Sequence, residues 1–64
     1  MEAVVIEGFE KKGYVLRFVR EGTNRFAVLL WFNDELKSAE YFDKSGDAYS
    51  LYKTMLINLR ETLA

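Results

Sequence analysis

Ile6-Glu7-Gly8-Phe9-Glu10-Lys11-Lys12-Gly13-Tyr14-Val15-Leu16-Arg17-Phe18 decides how this chain folds. Two runs rich in β-branched and aromatic residues flank a short polar cluster ending in glycine, the signature of two strands and the turn between them. Lys11-Lys12-Gly13 suits a three-residue loop, a type I turn closed by glycine in the left-handed region. That loop pairs Glu10 with Tyr14, Phe9 with Val15, Gly8 with Leu16, Glu7 with Arg17 and Ile6 with Phe18. Opposite charges then face each other at Glu7 and Arg17, which favours the register. A two-residue turn instead slips the register and sends residues to the opposite face.

The same grammar continues outward. Glu21-Gly22-Thr23-Asn24 and Asn33-Asp34-Glu35 are two further turn clusters. With Gly22-Thr23-Asn24 as a three-residue loop and Asn24 left-handed, Glu21 faces Arg25. Strands are expected at 3–10, 14–21, 25–32 and 37–42, joined by connections so short that only an antiparallel meander fits. Beyond residue 43 the period changes. Ala48, Tyr52, Met55, Leu59 and Leu63 recur at three- and four-residue steps, flanked by Leu51 and Leu56, which describes an amphipathic helix over about 46–62. Ser45 or Asp47 is placed to cap it, and Asp47 and Arg60 suit its dipole. The expected fold is α+β, one domain over 1–64: a four-stranded antiparallel β-meander followed by one C-terminal α-helix, with the helix packed on one sheet face.

Those registers sort the strand residues into two faces. One collects Val4, Ile6, Gly8, Tyr14, Leu16, Phe18, Phe26, Val28, Leu30 and Phe32, with Ala39 and Tyr41 joining them. It is the natural seat of the helix, and Gly8 there gives room for close approach. Leu16, Phe18, Val28, Leu30, Met55 and Leu59 are the expected core. The other face collects Val5, Phe9, Val15, Val19, Ala27, Leu29, Trp31 and Phe42, interspersed with Glu7, Arg17, Arg25 and Glu40. A solvated sheet face normally alternates toward polar residues, and this one does not. A twisted sheet can curl over part of such a face; an apolar patch of a few hundred Å² that stays open marks a contact surface.

Composition narrows the function. The chain of 64 residues has no cysteine and no histidine, which removes disulfides, thiolate metal sites and the commonest general base. Ser38, Ser45 and Ser50 therefore lack an imidazole to activate them. The glycines Gly8, Gly13, Gly22 and Gly46 are isolated and form no phosphate loop. Catalysis, cofactors and a bound metal are not expected. With 50% apolar and 16% aromatic residues the chain is not disordered. Met1-Glu2-Ala3-Val4 carries no basic segment, so no signal peptide is expected. The longest apolar run, Phe26 to Phe32, is far too short to cross a bilayer. A cytoplasmic protein without membrane contact follows.

A domain this small buries little core and commonly gains stability by association. The first reading is accordingly a non-enzymatic homodimeric protein-interaction module, with Phe9, Val15, Arg17, Val19, Leu29 and Trp31 as its interface. The alternative is a single-stranded nucleic-acid binder in which Tyr14, Arg17, Arg20, Arg25 and Trp31 stack bases and meet phosphates. The net charge of −1 gives that alternative no long-range field. The layout of four meandering strands and a helix resembles the single-stranded-DNA-binding transcriptional coactivators and the Whirly proteins, which self-associate. It resembles them in architecture, without a shared motif or their basic character. A free first or fourth strand offers a further docking edge by strand addition.

Overall fold

The computed structural model describes residues 3–64. Four strands, β1 (Val4–Lys11), β2 (Tyr14–Gly22), β3 (Arg25–Phe32) and β4 (Glu35–Phe42), precede a helix, α1 (Ser45–Thr62). The strands form one open antiparallel sheet in the order β1-β2-β3-β4. The helix packs across β2, β3 and β4. The α+β meander-and-helix expected from the sequence is the observed architecture.

All three turns are tighter than expected, with two residues each. The first consists of Lys12 (φ 52°) and Gly13 (φ 87°), and the third of Asn33 (φ 50°) and Asp34 (φ 66°). Positive φ at both central residues is the type I′ pattern, whose twist matches that of the flanking strands. The Asn33 amide donates to the Gly13 carbonyl at 3.0 Å, tying the two turns together at one end of the sheet. Asn24 is not left-handed; the non-glycine residues with positive φ are Lys12, Asn33 and Asp34. The second turn is Thr23-Asn24, and the register shift lies at Glu21.

Each hairpin contains one irregularity, at Ile6, Glu21 and Lys37. A bulge adds one residue to one strand and so reverses the facing of everything beyond it. In β1 the two-residue turn shifts the expected pairing by one, giving Phe9 opposite Leu16, Gly8 opposite Arg17 and Glu7 opposite Phe18. The bulge at Ile6 then restores the expected pairs Val5 with Val19 and Val4 with Arg20. In β4 the bulge at Lys37 moves Ala39 opposite Leu29 and Tyr41 opposite Ala27. Ala39 and Tyr41 therefore lie on the face away from the helix, and Glu40 and Phe42 on the helix side, the reverse of expectation. Gly8 also faces away from the helix. A Cβ there would meet Leu16 O at 3.5 Å and Arg17 Cγ at 3.7 Å, ordinary contacts that involve no helix atom.

The core lies between the sheet and α1. Leu16, Phe18, Val28, Ala48, Tyr52 and Leu56 are buried, with Phe9, Phe26, Leu30, Phe42, Leu51, Met55 and Leu59 packed around them. Ala48, Tyr52 and Leu56 recur every fourth residue and so form the line of the helix that meets the sheet. Small Ala48 allows the close approach that the sequence reading assigned to Gly8. Phe18 is the hub, its ring 6.0 Å from Tyr52, 5.8 Å from Tyr49 and 6.3 Å from Phe26. Lys44 is the N-cap residue and makes no side-chain capping bond, so neither Ser45 nor Asp47 caps. Asp47 in the first turn and Arg60 in the last still complement the dipole.

Candidate functional site

The sheet face away from the helix can be read as rows running across the strands. From the turn end, the first row is Glu10, Val15, Trp31 and Leu36. The second is Gly8, Arg17, Leu29 and Ala39, and the third is Val5, Val19, Ala27 and Tyr41. Glu21 and Arg25 finish the face at the far end, joined by a 3.2 Å ion pair. Apart from glycine, the three rows carry only two charged residues, Glu10 and Arg17.

Part of this surface is hidden. Val19 and Ala27, small residues on the central strands, are 3% and 0% exposed. They are absent from the helix-side core, so their cover comes from the back face itself. Longer side chains on the same face, among them Arg17, Leu29 and Tyr41, neighbour them in the register. The rest stays open. Val5, Leu36 and Tyr41 at the two edges are 52%, 50% and 51% exposed, and Val15, Leu29, Trp31 and Ala39 between them are half-buried.

Two arginines are held against aromatic rings on this face. The Arg17 guanidinium carbon lies 5.4 Å from the Trp31 ring centroid, and that of Arg25 lies 4.8 Å from Tyr41. Both are cation–π distances. Arginine stems in such contacts cover apolar surface beside the ring. A shallow hollow of about 190 Å³ is lined by Val15, Arg17, Trp31 and Asp34. A wider one, about 440 Å³, is lined by Asn24, Arg25, Tyr41, Phe42 and Asp43 at the other end.

Of the expected interface residues, Val15, Arg17, Val19, Leu29 and Trp31 share this face. Phe9 does not. The two-residue turn places it opposite Leu16, on the helix side against the core. Glu7 is also on that side, so the anticipated Glu7–Arg17 pair does not form. The residues named for nucleic acid are divided. Arg17, Arg25 and Trp31 lie on the back face, whereas Tyr14 and Arg20 lie on the helix side, the Tyr14 ring tilted against Phe32 at 4.4 Å. Leu36, Ala39 and Tyr41 complete the back face and escaped the sequence reading: the third turn reads too long, which leaves Leu36 out of the strand, and nothing in Glu35-Leu36-Lys37-Ser38 announces the bulge at Lys37 that turns Ala39 and Tyr41.

Glu7 has acquired a different neighbour. Tyr52 is 1% exposed, and burial raises its phenol above the usual 10.0, with the adjacent Glu7 carboxylate adding to the shift. A buried neutral phenol beside a carboxylate is a structural arrangement here, since it sits under the helix and away from both hollows. Among the described residues no group of three or more histidine, cysteine, aspartate or glutamate side chains could hold a metal ion, and no helix is long and apolar enough to cross a membrane. No protein-family model, curated protein or solved structure matches the chain.

Proposed function

We propose that this protein is a small non-enzymatic interaction module that pairs with a second copy of itself through the back face of its sheet. The observation that carries the reading is the composition of that face: Val5, Val15, Leu29, Trp31, Leu36, Ala39 and Tyr41 form one apolar surface that no second layer of the described residues covers. Four strands spaced about 4.8 Å apart and eight residues long present a face of roughly 500 Å². Two such faces together bury on the order of 1,000 Å², the lower bound for a specific interface. The charges on the face, Glu10, Arg17, Glu21 and Arg25, sum to zero, so a second copy meets no net repulsion. Trp31, Tyr41 and Arg17 are the residue types in which binding energy concentrates.

Leu29→Asp tests the reading. It lies mid-face and only half-buried, so the chain should still fold, and it should sediment as a monomer where the wild type does not. If the folded variant associates as strongly as the wild type, the back face is not the contact.

The cation–π pairs Arg17–Trp31 and Arg25–Tyr41 favour a second reading, in which the same face receives single-stranded nucleic acid. Phosphate contacts weaken steeply as salt rises. A labelled oligonucleotide that binds at low salt and is released on salt addition supports it; no binding at low salt removes it.

A further inference from the structure

We infer that the two copies meet sheet to sheet about a two-fold axis running parallel to the strands, so that β2 of each copy lies over β3 of the other and Glu21 faces the partner's Arg25. The inference rests on the self-association proposed above and adds its geometry.

A face-to-face pair of identical sheets has two simple in-plane axes. An axis across the strands, through the middle row, lays each strand over itself. Arg17 then stands over the partner's Arg17 in the least solvated part of the contact, where like charges are costly. An axis along the strands exchanges β1 with β4 and β2 with β3 and keeps every row over itself. Arg17 then lies over the partner's Leu29, Val15 over the partner's Trp31, and Val5 over the partner's Tyr41. Val19 lies over the partner's Ala27, both buried within their own copy, so the longer side chains around them make the contact at the centre.

The decisive feature is at the end of the face. Glu21 is on β2, and Arg25 is on β3 across the turn from it. An exchange of β2 with β3 brings each Glu21 to the partner's Arg25, twice per dimer. Both side chains are already at this spot, 3.2 Å apart within one copy and largely exposed for Arg25, so neither needs to leave the core to engage the partner. Aligned sheets cross at about −30°. The lateral offset that this introduces at the end of the strands is within the reach of a glutamate and an arginine.

The test is a charge exchange between copies. Glu21→Arg and Arg25→Glu are made separately, and each chain is checked for folding by thermal melting at low concentration. Each variant alone places like charges against each other across the axis and should dissociate at least tenfold more readily than the wild type. An equimolar mixture should restore association as a heterodimer, seen in native mass spectrometry as the mixed mass. The intrachain Glu21–Arg25 pair is broken in both chains and is not repaired by mixing, so recovery reports the contact between copies alone. If the wild type associates but the mixture shows no preference for the mixed pair, the axis is wrong and the face remains. If the wild type is a monomer, the proposed self-association itself fails, and this geometry with it.

Discussion

Trp31→Ala separates the two roles of the back face. Within one copy the indole carries the Arg17 guanidinium at 5.4 Å. Losing that contact costs about 0.5–1 kcal/mol, and losing the roughly 150 Å² of the ring already covered within the copy adds about 3–4 kcal/mol, so association is read on the folded fraction. Between copies there is a further loss. A tryptophan side chain offers about 200 Å², and for a half-buried ring roughly a quarter of that, about 50 Å², remains for a partner. The two-fold repeats it, giving about 100 Å² and about 2.5 kcal/mol at 25 cal/mol per Å². At 1.4 kcal/mol per tenfold, dissociation should become roughly fiftyfold easier. Sedimentation velocity over a concentration series reads this directly, with circular dichroism confirming that the variant is folded. A folded Trp31→Ala chain that dissociates no more readily than the wild type would refute the use of this face.

Phe9→Ala should behave oppositely, since Phe9 packs on the core side. It should lower stability by about 2–4 kcal/mol in urea unfolding and leave the association of the folded fraction unchanged; weakened association at unchanged stability would contradict the observed register. Gly13→Ala places a Cβ 2.8 Å from Asn33 Oδ1 at φ +87°, a strained position expected to cost about 1–3 kcal/mol. An unchanged urea midpoint would show that the turn is not held as described. Tyr52 makes stability depend on alkali. Its folded pKa lies above the unfolded value near 10, so its share of stability is complete below pH 10 and is lost as pH rises through the raised value. Tyr52→Phe should flatten that alkaline decline in a pH series of thermal melts, and an unaltered decline would remove Tyr52 as its source.

How far the sequence reached is clearest at the three hairpins. Element type and order were legible, because β-branched and aromatic runs between turn clusters, followed by a three-and-four periodicity, leave one arrangement for so short a chain. The pairing of β2 with β3 was also legible through most of its length. Leu16, Phe18 and Val28 consequently appear in the core as expected. The two outer strands were not. Lys12 at φ 52° is an unusual host for a left-handed turn position, so Lys12-Gly13 reads as part of a longer loop, and Phe9 and Glu7 are misplaced by one residue. Asn33-Asp34 did carry a usable sign, since both tolerate positive φ. Even so, the tight turn alone leaves Ala39 and Tyr41 on the helix side; only the bulge at Lys37 moves them. Bulges answer to strand twist and to packing across the sheet, which a one-dimensional pattern does not contain.

The edges bear on association as well. β1 is an outer strand with Val4, Val5 and Ile6 about half exposed, while β4 carries Glu35, Lys37 and Glu40. Charge and the Lys37 bulge protect β4 from pairing with another chain, and on β1 the Ile6 bulge interrupts the apolar stretch. Blunted edges favour the back face over strand addition in the proposed pairing of two copies.

Sedimentation equilibrium of the wild-type chain, from low-micromolar to near-millimolar concentration, puts that conclusion at greatest risk. If the back faces join two copies, the mass climbs from the 7.5 kDa of one chain toward twice that value and levels off there. A mass that stays at 7.5 kDa throughout means that the apolar face is tolerated in water and joins nothing of its own kind.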